Sequence, residues 1–253
     1  MERLLTNDGS MTFFNPLFKE AYHSRSGALE EAFKKYIEPC KIASGMKILD
    51  VCFGIGYNSA AAIHKILSEK GTLQIVALEY DRNVLNNIQE VEVPDYLQAA
   101  YRIIQKAALQ GSYDDGAISL RILVGDARQT LQGIQDTFDA IFLDPFSTMK
   151  NPELWTVDFF KLLKETLHEQ GILATYSSSA IVRGGLREAG FLIGNGPIIG
   201  RARPSTLASL KRTLPPLLEQ DEKLIVAFGR PFRDPFLNWS KENILEERER
   251  LPL

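Results

Sequence analysis

The residues best able to do chemistry in this chain form a spaced series of acids, each closing a short apolar run. Asp50 opens the segment Asp50-Val51-Cys52-Phe53-Gly54-Ile55-Gly56, whose two glycines allow a tight turn and close approach of backbone to a ligand. Glu79 ends the run 73–79 (LQIVALE), and Asp126 follows 120–124 in Val124-Gly125-Asp126-Ala127. Asp144 closes 138–143 (FDAIFL) as Asp144-Pro145-Phe146-Ser147. A carboxylate at Glu79 can accept hydrogen bonds from both hydroxyls of a ribose, and one at Asp126 from the exocyclic amine of adenine. Each feature has a plainer alternative: a βα turn for the glycines, a solvated strand-end acid for Glu79, a helix cap for Asp126, a strand-ending turn for Asp144. As a set they are stronger, because ligands of open α/β sheets bind outside the carboxyl ends of the strands. No Lys-Ser/Thr follows the glycines, which excludes a P-loop, and Ser59 stands where a dinucleotide fingerprint carries its third glycine. A nucleoside without phosphates fits better. S-adenosylmethionine has that description, and its sulfonium favours acidic surroundings.

These acids need a sheet to hold them in line. The apolar runs 46–51 (MKILDV), 73–79, 120–124, 138–143, 171–176 (GILATY), 191–193 and 223–228 (KLIVAF) read as strands. They are apolar throughout rather than alternating, as when helices cover both faces. Helical stretches at 59–68, 96–109, 154–167 and 181–189 lie between them, with Asn151-Pro152-Glu153 as a start signal for the third. The alternation predicts a Rossmann-like, doubly wound parallel sheet over residues 46–253. Residues 1–45 stand outside the pattern. They read as an N-terminal extension packed on the sheet's carboxyl edge, with turns at Asp8-Gly9 and Asn15-Pro16 and an amphipathic helix over 27–37.

Composition narrows the class. The chain has 253 residues, 45% hydrophobic and 24% charged, with net charge −3, which excludes wholesale disorder and does not advertise a nucleic-acid binder. Charge is nonetheless uneven: Arg183, Arg187, Arg201, Arg203, Lys211 and Arg212 face only Glu188 within 183–212. Arg183, Arg201 and Arg203 are the candidates for phosphate contacts. Cys40 and Cys52 are too few for a disulfide scaffold, and His23, His64 and His168 lie too far apart for a zinc motif, so no metal is expected. No signal peptide or membrane span is apparent, and a cytoplasmic location is the expectation.

The chain also resembles a known family, the methyltransferase domain of MnmC. The blocks that carry the resemblance are Asn151-Pro152-Glu153-Leu154-Trp155-Thr156, Leu173-Ala174-Thr175-Tyr176-Ser177-Ser178-Ser179 with Val182-Arg183-Gly184-Gly185-Leu186, and Ala189-Gly190-Phe191. Asp8-Gly9-Ser10-Met11-Thr12, Tyr22-His23-Ser24-Arg25-Ser26-Gly27-Ala28 and Phe53-Gly54-Ile55-Gly56-Tyr57-Asn58 also match, so the likeness covers nearly the whole chain. Cys52 and Ile55 stand where that family usually has Gly and Thr. The resemblance implies methylation of the primary amine of 5-aminomethyl(-2-thio)uridine at the tRNA wobble position. The likeness is to the methyltransferase half, without the flavin-dependent oxidase domain of bifunctional members, so no FAD is expected. An upstream wobble-uridine modification enzyme must then supply the aminomethyl group.

On this reading Asp144 orients the amine and accepts its proton. Asp50, Phe53, Gly54, Gly56, Asn58, Glu79, Asp126 and Tyr22 bind the cofactor. Phe146 and Trp155 stack on the pyrimidine, His23 and Ser24 line the acceptor pocket, and the arginines hold the anticodon loop. Competing readings are a small-molecule amine methyl- or aminopropyltransferase of the same fold, a nicotinamide-dependent oxidoreductase, and a silent RNA-binding module.

Overall fold

The computed structural model describes residues 2–22, 27–200 and 202–250. The extension opens as a three-stranded antiparallel sheet of β1 (Glu2–Leu5), β2 (Met11–Asn15) and β3 (Glu20–Ala21). Its turns are the two that the sequence marks. Gly9, at φ 78°, donates to the Thr6 carbonyl. The Asn15 side chain accepts from the Leu17 and Phe18 amides. A helix follows, α1 (Ala28–Glu31), running without a break into π-helical Ala32–Ile37. Gly27 gives this helix no cap of its own. Asp8 supplies one from the turn before β2, accepting from the Leu29 and Glu30 amides at 3.2 Å each.

The remaining chain builds an eight-stranded sheet. Its elements are β4 (Lys47–Val51), α2 (Tyr57–Ser68), β5 (Leu73–Glu79), α3 (Arg82–Asn87), α4 (Gln98–Gln110), β6 (Ser112–Asp114), β7 (Ile118–Val124), α5 (Ala127–Thr130), β8 (Phe138–Leu143), α6 (Val157–Thr166), β9 (Leu167–Thr175), α7 (Ala180–Glu188), β10 (Leu192–Asn195), β11 (Thr206–Ser209), α8 (Glu219–Phe228) and α9 (Lys241–Arg250). The strand order is β10-β11-β9-β8-β4-β5-β7-β6. Strands β7, β5, β4, β8 and β9 run parallel, and β11 enters antiparallel beside β9. Successive residues of β4 serve opposite faces: Ile48 packs with α2, α4, Phe13 and the N-terminal helix, and Leu49 and Val51 with α6, α7 and Trp155. The extension thus shares one core with the sheet.

Two readings from the sequence are corrected. Residues 223–228 form the end of α8, not a closing strand. An apolar run this short fits either period; the acids Glu219, Asp221 and Glu222 sit in the helix's first turn and Ile225 is its buried anchor, with Val226 and Phe228 exposed. The strand position belongs to Thr206–Ser209, whose four residues are all buried although two are polar. Asn151 does not cap the helix after β8. Pro152–Trp155 forms a short 3-10 turn, and Thr156 caps α6 by accepting from the Phe159 amide at 3.2 Å. Among the described residues no helix is long and apolar enough to cross a membrane.

The borrowed cap yields a stability prediction. Hydrogen bonds to its charged form hold the Asp8 carboxyl below its usual range, against the opposing pull of burial. Its contribution is therefore complete above the ordinary Asp pKa and fades as pH falls through the lowered folded value. Asp8→Ala is expected to cost about 1–2 kcal/mol at pH 7, with a smaller difference from the parent in urea melts below pH 3.

Candidate active site

The carboxyl ends of β4, β5, β7 and β8 converge on a cavity of about 410 Å³, a size suited to a small organic ligand. Phe53, Gly54, Asn58, Glu79, Asp126, Asp144, Phe146 and Tyr22 line it. The glycine loop forms its floor. The Cys52 and Phe53 amides both donate to the Leu78 carbonyl at 3.0 Å, which pins the turn between β4 and β5. Gly54 and Gly56 lie at φ 56° and 80°. A Cβ on Gly54 would come within 3.1 Å of the Tyr22 ring, and one on Gly56 within 2.7 Å of Ile104 and Phe53. The loop is thus a cradle that side chains would fill. Gly56 shapes the turn and does not itself line the cavity. Cys52 shares the left-handed conformation, at φ 68°, where a side chain is strained.

Glu79 is held from behind. Its Oε2 accepts from the Gly54 amide at 2.7 Å and its Oε1 from the Asp81 amide at 2.8 Å, and a carboxylate so held keeps further lone pairs for other donors. Burial pushes its carboxyl up to about 7. Asp126 caps α5 through the Arg128 amide and grips the Arg128 guanidinium, with Nη2 at 2.7 Å from Oδ2. Arg128 is fixed in turn by fully buried Asp234 at 2.7 Å and by the Trp239 carbonyl at 2.9 Å. Asp126 thus caps a helix and also lines the cavity. Asp50 is corrected. It is fully buried beneath the loop and does not line the cavity, because Ser59 Oγ holds its Oδ2 at 2.6 Å. Burial pushes it up to about 7, aided by the charges of Asp144 and Glu79.

At the other end, Asn58 Nδ2 donates to Asp144 Oδ2 at 2.9 Å. Burial raises the Asp144 carboxyl, while the hydrogen bond from Asn58 counters it. Phe146 stacks on Phe18 with centroids 4.5 Å apart and touches Tyr22 at 5.2 Å. Ser147 donates from its amide and hydroxyl to Glu20, at 3.0 and 2.9 Å. The extension thus clamps the loop after β8.

Trp155 cannot stack on a substrate. It is fully buried, its indole N–H donates to the Phe146 carbonyl at 2.8 Å, and its ring packs edge-on against Phe160 and Tyr176. It is the wall behind Phe146. Arg183 cannot reach a phosphate either. It is fully buried, paired with Asp221 at 2.9 Å and donating to Thr206, Asn195 and the Pro204 carbonyl. Arg203 is part-exposed but also bound to Asp221, and Arg187 makes a two-pronged pair with Glu222. Three of the window's basic residues are thus paired to acids of α8, and Lys211 to Glu169. His23, Ser24 and Arg201 lie outside the described residues. Sequence reasoning missed Phe18, Glu20 and the Arg128–Asp234 pair. No local motif marks them, since each acts on a residue distant in sequence. Among the described residues no group of His, Cys, Asp or Glu side chains could hold a metal ion.

The strand order and the acid-lined cavity at the carboxyl edge define a Rossmann-like S-adenosylmethionine-dependent methyltransferase. Residues 88–211 match the family described as S-adenosyl-L-methionine-dependent methyltransferase. The fold superposes on MNMC2 from Aquifex aeolicus with a TM-score of 0.91 and 35% identity, covering 98% of this chain and 83% of that one. An uncharacterized protein of Methanocaldococcus jannaschii is 31% identical over 256 residues, 96% of this chain and 70% of that protein. The tRNA 5-methylaminomethyl-2-thiouridine biosynthesis bifunctional protein MnmC of Ralstonia nicotianae is 31% identical over 215 residues, 78% of this chain and 33% of that protein. The chain spans about a third of the length of that bifunctional relative. It belongs to the methyltransferase family of MnmC and MNMC2.

The buried acid under the loop makes a second prediction. An Asp whose folded pKa is raised to about 7 gives stability that is present near pH 4 and lost as pH rises toward 7. Asp50→Asn removes that loss. Its melting temperature relative to the parent is expected to climb between pH 4 and 7 and level off above. A difference independent of pH would show that Asp50 is not held protonated.

Proposed function

We propose that the protein transfers a methyl group from S-adenosylmethionine to the primary amine of 5-aminomethyl(-2-thio)uridine at the tRNA wobble position, giving 5-methylaminomethyl(-2-thio)uridine. The observation that best supports this is Asp144, a mostly buried carboxylate that lines the same cavity as the glycine loop and Phe146. The site fits the cofactor: the cavity over Gly54 admits it, Glu79 would hold the ribose and Asp126 the adenine. When bound, S-adenosylmethionine supplies an electrophilic methyl group on a positively charged sulfur.

The acceptor amine must present a lone pair, so it must first lose a proton. An alkylammonium near 10.4 and an Asp near 3.9 leave a gap of about 6.5 units, roughly 9 kcal/mol. Burial narrows that gap from both sides, lowering an amine and raising a carboxyl. Asp144 is already raised in that way. It binds the ammonium, orients the nitrogen and takes the proton, with orientation the larger effect. Phe146, braced by Phe18 and Tyr22, offers the pyrimidine an aromatic contact. A base in a single-stranded anticodon loop costs little to splay outward. Phosphate contacts fall to Lys150 and Lys241, which line the cavity and have no ion-pair partner among the described residues. The reaction requires an upstream enzyme that installs the aminomethyl group, and it belongs where tRNA matures, in the cytoplasm.

Asp144→Asn keeps the shape of the site and removes the proton acceptor. Its kcat on tRNA bearing wobble 5-aminomethyluridine is expected to fall by about 10²–10⁴-fold, with S-adenosylmethionine affinity retained. Full turnover by this variant would overturn the role of Asp144.

A further inference from the structure

Asp126 does not meet the cavity as a free strand-end acid. Three N–H groups of Arg128, two residues on, hold it. The amide donates to Oδ1 at 2.9 Å, Nη2 donates to Oδ2 at 2.7 Å, and Nε is shared between the two oxygens at 3.1 and 3.2 Å. A carboxylate has about four acceptor sites, so one place is left. The Asp126 side chain is 30% exposed and lines the cavity, which leaves that place to a ligand. An ionised carboxylate accepts and cannot donate. It therefore takes the amine of adenine and repels a carbonyl oxygen at the same ring position.

Arg128 is gripped from its other edge. Nη1 donates to Asp234 Oδ2 at 2.7 Å and to the Trp239 carbonyl at 2.9 Å. Asp234 is fully buried. Its Oδ1 accepts from the Asn238 and Trp239 amides at 3.0 Å each, and its own amide donates to Asp158 Oδ2 at 2.7 Å. Gln129 Nε2 donates to the Leu237 carbonyl at 2.7 Å. The turn 234–239 is thereby fastened to α5, and Lys241 and Glu242, at the start of α9, line the cavity. A guanidinium is a rigid planar fork, so fixing one edge fixes the other.

We propose that Arg128 and Asp234 are positioning residues for the adenine-binding acid: buried Asp234 locks the guanidinium plane, and the guanidinium sets Asp126 so that its free acceptor site selects a purine bearing an amine over one bearing a carbonyl. This rests on the reading that Asp126 receives the adenine amine. It makes base selection depend on the segment 234–239, far along the chain from the acid it serves. A purely structural staple has a different consequence. Loosening it would weaken every ligand of the cavity alike and leave their ratio unchanged.

The test measures, by titration calorimetry on the whole chain, the binding of S-adenosylhomocysteine and of its 6-oxo counterpart, S-inosylhomocysteine. The parent is expected to favour the adenine form by about tenfold or more. Asp126→Asn, whose amide can also donate to a carbonyl, is expected to lose most of that preference. Asp234→Asn has one acceptor oxygen where the turn and Arg128 use two. It is expected to cut the preference by about threefold or more, with the adenine form losing the more affinity. Equal loss for both ligands in Asp234→Asn, with the preference lost in Asp126→Asn, overturns the inference and leaves the reading of Asp126 standing. A parent without preference, or a preference unchanged in Asp126→Asn, overturns that reading and the inference with it. Should Asp234→Asn not fold, the parent labelled with ¹⁵N-arginine is titrated with both ligands and followed by NMR. The Arg128 Nε–H signal, identified by its shift in Asp126→Asn, must then take different positions at saturation with the two; one position for both overturns the inference.

Discussion

Four carboxylates, Asp50, Glu79, Asp126 and Asp144, crowd the carboxyl edge of one parallel sheet, and the cost of keeping like charges together there shapes the rest of the site. Burial is the larger part of that cost for Asp50, Glu79 and Asp144, and mutual repulsion adds to it at Asp50. The fold answers mainly with neutral donors: Ser59 for Asp50, backbone amides for Glu79, Asn58 for Asp144. Of the four, Asp126 alone is ion-paired among the described residues, to Arg128. Negative potential is left in the cavity near Glu79 and Asp144. A cationic sulfonium and an ammonium acceptor relieve it, whereas a dinucleotide pyrophosphate would add to it.

The extension is structurally inseparable from this edge. Asp8 starts its helix, and the helix packs Tyr36 edge-on against Phe142, on the strand that leads to Asp144. Glu20 holds Ser147, and Phe18 and Tyr22 brace Phe146. Tyr22 also roofs Gly54, so one segment touches both ends of the cavity. Cys52 shows the strain this edge tolerates. Its φ of 68° is a conformation glycine adopts freely and a side chain does not.

The parallel strands and the acids at their ends were legible because both obey local rules: continuous apolar runs for strands buried on two faces, and function at their carboxyl ends. What escaped the sequence depends on distance. The run 223–228 looked like a strand because its five successive apolar residues fit either period, whereas the helix that holds it packs against α7. Thr206–Ser209 does not read as a strand because two of its four residues are polar; inside the fold those hydroxyls find partners, Thr206 donating to the Ser177 carbonyl and accepting from Arg183. Arg183 read as a phosphate ligand because its counter-charge, Asp221, is a distant neighbour in sequence. Trp155 read as a stacking surface for the same reason, its N–H being satisfied inside by Phe146.

The central claim is that the amine held by Asp144 belongs to a modified wobble uridine. It is tested most directly with labelled S-adenosylmethionine and three tRNAs, bearing 5-aminomethyluridine, its carboxymethylaminomethyl precursor, or unmodified uridine, each followed by nucleoside analysis. The account predicts label in 5-methylaminomethyluridine from the first tRNA alone. No label in any of the three, with S-adenosylmethionine still bound, would contradict it and point to a small amine as the acceptor.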